Sequence, residues 1–384
     1  MKTNEQIPSA FLALLVAVHV LAAVVLLRDP GVKTVEYEAT SDAGRYHEIA
    51  DSSGTPYRDF DVEYPPLAIA VTNTLDTGDF GATLDRIVVV QLLADLAIAA
   101  LLLWQWGRRA AVSYLLVAAP ILATVLTKID LLSVLLAVVA VVLVQRSRDA
   151  AGGVAFAGAV FVKLWPLVLT PWLIVTRRWR AAAWAVAGGV VGLAAWVSLG
   201  DIDGPRQVAT FRGARGWHVE SLPGQFVDVV RGGSVVFESG SWRVGAPPSW
   251  LGMGLLALAL GIVLWVWVRS GDRDDIGLPS VTAVATLMVF ATLLSPQFMI
   301  WLVPWAAIAG AAGERRVEVL VASAVLLTVV LQALFEAQDS HTGPALVGYG
   351  LRNLLLIAVV SVGIVRLRAP VRPGPSVDAE REEA

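Results

Sequence analysis

The sequence predicts an all-α polytopic membrane protein of about 11–12 transmembrane segments, since a span needs roughly 20 apolar residues and the chain supplies many such runs. Three observations carry this reading. Hydrophobic residues make up 57% of the chain and charged residues 16%, with a mean hydropathy of +0.69, a membrane composition. Most loops between the apolar runs are too short to fold alone, so residues 1–368 are expected to form one membrane domain. Polar character is concentrated in two long stretches, 28–83 and 200–249, while the tail over 369–384, rich in Pro and charge, is expected to be a disordered cytoplasmic segment.

Composition also excludes several functions. The net charge of -3 and the pI near 5.9 show no bias towards nucleic acid, because the basic residues sit in small clusters at helix ends and not on one face. Without cysteine the chain has no disulfide, thiolate nucleophile or iron–sulfur ligand. The four histidines, at 19, 47, 218 and 341, are too scattered to suggest a zinc site. No metal or cofactor is expected.

In chain order, the run Phe11 to Leu27 has the short basic start of a signal peptide, but it exceeds a typical h-region and Arg28-Asp29-Pro30-Gly31 is a poor cleavage site. It reads as an uncleaved first span. Inside the polar stretch that follows, Leu67 to Leu75 is too short to cross and suits a short interfacial helix behind the stiff Pro65-Pro66 pair. Spans are expected at about Leu84 to Trp106, Ala110 to Leu126 and Ile129 to Val144. The apolar stretch 150–175 is interrupted by Lys163-Leu164-Trp165-Pro166 and reads as a broken pair of half-spans. Later spans are expected at about Ala181 to Leu199, Trp250 to Val268, Val281 to Leu294, Phe298 to Ala312, Val317 to Phe335 and Ala345 to Val365.

Orientation follows from Lys and Arg in short loops, which resist export. If 150–175 turns back at Lys163, the clusters Arg146 with Arg148 and Arg177 with Arg178 share the cytoplasmic side with Arg269, Arg273, Arg315 and Arg316. The loops at 295–297 and 336–344, on the other side, then contain no Lys or Arg. That asymmetry selects the broken pair. It places the 28–83 stretch, Lys128 with Asp130, the Lys163 turn, the 200–249 loop and Ser295-Pro296-Gln297 outside. Non-helical backbone at membrane depth is tolerated only where it is buried or lines a cavity, which makes Lys163 a site candidate.

Asp42, close behind the first span in a loop tied back to the bilayer, has the placement of a general base. An Asp in a polar loop serves equally as a cap or a solvated charge, so position alone leaves both readings open. Arg212-Gly213-Ala214-Arg215-Gly216-Trp217-His218-Val219-Glu220-Ser221 could hold a phosphate by charge-assisted hydrogen bonds, or be a solvated basic turn. Lys163 could bind substrate, snorkel or pair with Asp130, and Lys128-Ile129-Asp130 could be a local pair at a helix start. Asp59-Phe60-Asp61 matches the Asp-x-Asp of nucleotide-sugar sites, but the orientation puts it where nucleotide sugars are not supplied. Tyr64-Pro65-Pro66 reads as a rigid bend that sets Glu63 and Tyr64 at the membrane surface. The fourteen tryptophans are mostly an interfacial belt; Trp165, Trp217 and Trp301 could instead stack on a sugar.

Taken in order, these stretches form a pattern. It runs Asp-x-x-x-Tyr (Asp42, Tyr46), Pro-Tyr-x-Asp-Phe-x-x-Glu-Tyr-Pro-Pro-Leu (Pro56 to Leu67), Lys-x-Asp (Lys128, Asp130) and Lys-x-x-Pro (Lys163, Pro166). Arg-Gly-x-x-x-Glu-Ser (Arg215 to Ser221) and Ser-Pro-Gln-Phe-x-x-Trp-Leu-x-Pro (Ser295 to Pro304) complete it. It resembles the family 87 glycosyltransferases of the GT-C superfamily, which include polyprenol-phosphate-mannose-dependent mannosyltransferases of bacterial envelopes. The resemblance covers about residues 10–365, and its first-loop motif is the specific part; the Lys-x-Asp position is often Arg-x-Asp in the family.

The resemblance implies a GT-C-like fold in the cell membrane and an inverting transfer of a sugar, mannose, from a polyprenyl-phosphate donor to a lipid- or glycan-linked acceptor. Asp42 matches the acidic residue of the first outer loop that acts as base. Tyr46, Asp59, Glu63, Tyr64, Lys128, Asp130, Lys163, Arg215, His218, Glu220 and Gln297 become the expected substrate-binding set, with Arg215, His218 and Lys163 facing the donor phosphate. A carrier or flippase for a lipid-linked glycan is the competing class. It calls for ionisable groups near mid-bilayer facing both ways, whereas the polar residues here collect on one side and no internal repeat is evident.

Overall fold

The computed structural model describes residues 7–212, 214–231, 234–271, 275–335 and 342–369. The expected tail, apart from residue 369, and residues 336–341 of one loop lie outside the described residues.

Helix α1 (Ser9–Arg28) is apolar along its length and ends on Arg28, a cation at the negative pole of the helix. The polar stretch behind it is folded. Thr34 caps α2 (Val35–Thr40) by accepting from Tyr37 N, and Ser41 caps α3 (Asp42–Asp51) by accepting from Gly44 N. Pro66 starts α4 (Pro66–Leu75), the short helix expected there. Asp79 caps α5 (Phe80–Trp106). Helix α6 (Arg108–Ala118) passes through a 3-10 turn containing Pro120 into α7 (Leu122–Val125), and α8 (Asp130–Gln145) follows.

The 150–175 stretch is broken as expected. Helix α9 (Asp149–Val162) stops at Lys163, which is extended; a 3-10 turn over Trp165–Leu169 leads into α10 (Pro171–Val175), and α11 (Trp179–Gly200) comes next. Gly153 lies against the Ala181 carbonyl and Gly192 against the Phe161 ring. Helices α9 and α11 therefore run side by side in the same direction, and the chain between them must return.

The 200–249 segment departs from the all-α expectation on a small scale. After α12 (Asp203–Ala209) come β1 (Trp217–His218), α13 (Leu222–Arg231), β2 (Val235–Glu238) and β3 (Ser241–Val244), the strands forming an antiparallel sheet in the order β1-β3-β2. Trp217 pairs with Val244 on one edge of β3 and Val235 with Val244 on the other. The chain ends with α14 (Ser249–Ser270), α15 (Gly277–Phe290), a 3-10 turn over Pro296–Trp301, α16 (Val303–Ala311), α17 (Arg315–Leu334) and α18 (Gly343–Arg368).

Seven helical stretches are long and apolar enough to cross a membrane: α1, α5, Arg108–Val125, α11, α14, α17 and α18. The other expected segments are shorter. At 1.5 Å per residue even α8 reaches only about 24 Å, less than the roughly 30 Å of hydrocarbon. Helices α8 and α15 compensate by lying inside the bundle, with most of their side chains buried. Helix α11, in contrast, buries only Ala181, Trp196 and Gly200.

Polar residues do not all collect at one end. His19 of α1 is fully buried, its Nδ1 2.5 Å from Asp95 Oδ2 on α5 and its Nε2 2.9 Å from the Leu115 carbonyl on α6; Tyr114 donates to Asp95 Oδ1 at 2.7 Å. Every polar atom in this clasp has a partner, so it costs little to bury and fastens three helices. All three side chains are fully buried.

Candidate active site

Asp42 is the first residue of α3, where Ser41, and not Asp42, provides the cap. Its carboxylate is thereby released to face the bundle. Oδ2 accepts from Lys128 Nζ at 2.6 Å and from Gln297 Nε2 at 3.1 Å. Lys128 sits just before α8 and Gln297 in the 3-10 turn before α16, so three distant segments meet on one oxygen. The Lys128–Asp130 pair suggested by proximity in sequence does not form. Asp130 instead accepts from Trp301 Nε1 at 2.8 Å and pairs with Lys163 at 3.2 Å. Asp130 is fully buried, which a carboxylate tolerates only with such partners.

Aromatic rings wall this charge cluster. Tyr46 and Tyr64 meet edge to face at 5.2 Å, Trp165 stacks on Trp301 at 5.4 Å and Phe298 on Trp301 at 4.0 Å. The Lys163 ammonium lies 5.5 Å from the Tyr64 ring and 5.9 Å from that of Phe298. Burial pushes the Tyr46 and Tyr64 hydroxyls well above their ordinary pKa, so both remain neutral. Burial also acts to raise the Asp42 pKa, but the ammonium groups of Lys128 and Lys163 outweigh it and hold the carboxyl below the ordinary value.

A cavity of about 750 Å³ opens over Asp42. Its walls come from α2 (Glu38), α3 (Asp42, Arg45, His47, Glu48, Asp51), the Glu63-Tyr64 bend, Arg212 and the β2–β3 hairpin (Phe237, Gly240, Ser241). Glu63 is gripped by Arg45, with Nε at 3.2 Å and Nη2 at 3.1 Å, and approached by Arg212 at 3.5 Å. Arg45 also donates to the Asp61 carbonyl at 2.6 Å, which fastens the bend to α3. His47 Nδ1 lies 2.6 Å from Asp76.

Of the expected site residues, Asp42, Tyr46, Glu63, Tyr64, Lys128, Asp130, Lys163 and Gln297 are brought together. Asp59, Arg215, His218 and Glu220 are not. Asp59 is exposed and closes its own turn by accepting from Thr55 N at 2.6 Å. Arg215 is exposed and absent from the cavity wall. His218 is buried with Nδ1 2.7 Å from the Leu294 carbonyl, and burial holds its pKa below the ordinary value, so it is a neutral donor and no phosphate anchor. Glu220 is the partner of Arg352, buried inside α18, at 2.8 Å. These last two residues fasten the 200–249 segment to the bundle.

Arg45, His47 and Arg352 were missed by sequence reasoning, and Arg212 was offered there only as part of its basic run. Arg212 lies in the basic run that the sequence singles out, three residues before the residue chosen from it. Arg352 carries the signal of a charge inside an apolar run. Arg45 and His47 flank Tyr46 on the helix that begins with Asp42, and nothing local marks them. Among the described residues no group of three or more His, Asp or Glu side chains could hold a metal ion.

Fold and site together define a multi-pass membrane protein whose soluble segments converge over one carboxylate and two lysines. The sequence model of glycosyltransferase family 87 matches residues 63–296, more than half of the 384 residues, and the chain belongs to that family. It is a membrane glycosyltransferase. The match takes in Glu63, Tyr64, Lys128, Asp130 and Lys163 and begins after Asp42, whose place in the site rests on the geometry. A search of curated proteins finds no match.

Proposed function

We propose that this glycosyltransferase moves a sugar, mannose, from a polyprenyl-phosphate donor to a hydroxyl of a lipid- or glycan-linked acceptor, with inversion, at the extracytoplasmic face of the plasma membrane. The observation that carries the proposal is the partly exposed carboxylate of Asp42 on the cavity wall, with Lys128 and Lys163 beside it. In the proposed reaction Asp42 takes the acceptor's hydroxyl proton. The acceptor oxygen bonds to the anomeric carbon from the face opposite the phosphate, and the carbon–phosphate-oxygen bond breaks with its electron pair leaving on the lipid phosphate. Lys128 and Lys163 offset that charge.

The hydrogen bonds from Lys128 and Gln297 both fall on Asp42 Oδ2, which leaves Oδ1 for the acceptor. A carboxylate paired with an ammonium is a weak base. A donor phosphate offers Lys128 a second anion, and as Lys128 shifts towards it Asp42 gains basicity. Base strength is thereby tied to donor occupancy, which limits wasteful proton transfer in the empty site.

Sidedness is supported by the arginines. Arg146 with Gln105, Arg109 with Glu318 and Arg366 with Glu314 are all at helix ends away from the cavity, and basic loops resist export. A site on the opposite side needs a donor that crosses the bilayer on a lipid. Mannose itself rests on the resemblance to polyprenol-phosphate-mannose-dependent enzymes.

The test uses membranes incubated with radiolabelled polyprenyl-phosphate sugars, followed by identification of the labelled product. Asp42→Asn is expected to express as wild type and to lose transfer by about 10²–10⁴-fold, the usual weight of a general base. Transfer at the wild-type rate by that variant overturns the assignment.

A further inference from the structure

Helix α13 reads Leu-Pro-Gly-Gln-Phe-Val-Asp-Val-Val-Arg and has two unlike faces. On one, Val227 packs with Trp217, Val219 and Val244 of the small sheet. On the other, Phe226, Val229 and Val230 are 65%, 85% and 62% exposed. Their spacing of i, i+3 and i+4 makes a single apolar stripe, and no described part of the chain covers it.

The position of the helix indicates what does. Gln225 donates to the Leu346 carbonyl at 3.0 Å and accepts from Asn353 Nδ2 at 3.0 Å, so α13 lies across the first turns of α18. Helix α18 is long and apolar enough to cross a membrane, and its Val347, Leu351 and Leu354 are exposed. Gln225 lies one helical turn before Val229, at the edge of the α13 stripe, and its contact is with the turn of α18 that exposes Val347. The juncture is firm: Arg352 pairs with Glu220 at 2.8 Å, and Arg352 and Asn353 also donate to the Glu220 carbonyl at 2.7 and 3.0 Å.

We infer that α13 is an interfacial helix that lays Phe226, Val229 and Val230 into the headgroup–acyl boundary of the leaflet on the cavity side, continuous with the lipid-facing stripe of α18. An amphipathic helix at the mouth of a span meets lipid at this depth. The β2–β3 hairpin follows α13 directly and roofs the cavity with Phe237, Gly240 and Ser241. Docking of α13 thus sets the height of that roof above the bilayer. The benefit to a lipid-borne substrate rests on the proposed function; the lipid contact does not.

The chain has no cysteine, so each introduced thiol is unique. Phe226→Cys, Val229→Cys, Val230→Cys and Asp228→Cys, the last on the opposite side of the helix, would each carry a nitroxide in phosphatidylcholine vesicles. Collisional accessibility to oxygen and to a water-soluble nickel chelate is then measured, with a monodisperse elution profile and retained sugar transfer as controls for folding. The expected result is a several-fold excess of oxygen over chelate accessibility at 226, 229 and 230 and no such excess at 228. Chelate access equal to that of an exposed α2 position such as Glu36→Cys would overturn the inference. So would spin–spin broadening, which marks a second copy, or exclusion of both reagents, which marks a protein partner. Loss of transfer by Asp42→Asn bears on the function and leaves this outcome unaffected.

Discussion

Lys128 reaches Asp42 across 86 residues of sequence, and its removal separates two roles that the pair combines. Lys128→Met keeps the apolar stem and deletes the charge. Burial, which pushes Asp42 up, is then opposed mainly by Lys163. In the wild type Asp42, the proposed base, stays ionised as pH falls past the ordinary Asp value of about 3.9. The stabilisation from the pair follows the same sign, being present above that value and lost as pH falls through the lowered native one. The acid limb of transfer activity is expected to move to higher pH in Lys128→Met, where one of the two lowering charges is gone, and to stay in place in Lys128→Arg, which keeps it. A pH profile of initial transfer rates reads this directly, and an unmoved limb in Lys128→Met would show that another group titrates. Asp42, Lys128 and Lys163 were legible in sequence as unusual charges near span ends. The Lys163–Asp130 pair was among the readings the sequence offered; the Asp42–Lys128 pair was not, because the nearest opposite charge to Lys128 in sequence is Asp130, which faces Trp301 and Lys163 instead.

Helix α3 holds Asp42, Arg45, Tyr46 and His47, and its seat on α2 depends on Gly44. A Cβ at that position would stand 1.7 Å from the Glu38 carbonyl oxygen, so Gly44→Ala must push the two helices apart. A lower unfolding midpoint in detergent and at least a tenfold loss of transfer are expected, since displacement of a catalytic group by about 1 Å costs on the order of 10²-fold. Both quantities unchanged would mean that the α2–α3 seat does not position the base. The broken segment after α9 was legible because Lys163 and Pro166 interrupt an apolar run. Folding of the 28–83 stretch into three helices was less so: its capping residues are visible, but the Arg45–Glu63 grip joins α3 to a bend 18 residues away. In the 200–249 segment the choice of Arg215 over Arg212 failed because composition is equal and only the chain path differs.

The bundle has its cavity at one end and its arginine-rich turns at the other. Reporter fusions at Arg148 and Arg178 are expected to give the same, cytoplasmic, signal, because α9 and α11 run in the same direction. Opposite signals would require 150–175 to cross completely and would invert every later loop. Hydropathy made the long spans legible, and it made the short α8 and α15 legible as apolar runs without showing that they lie inside the bundle. Buried polar contacts escaped it, since Glu220 and Arg352 are 132 residues apart and His19 and Asp95 are 76 apart. The last of these has a bearing on biogenesis. His19 of α1 is synthesised before Asp95 and Tyr114, and its imidazole meets these partners only when α5 and α6 have followed it into the bilayer. Asp95 and Tyr114, only 19 residues apart, can pair as a hairpin first and then capture α1. The same clasp joins the two helices that bound the stretch between α1 and α5, so the loop that contains Asp42 is closed at its base by a buried contact.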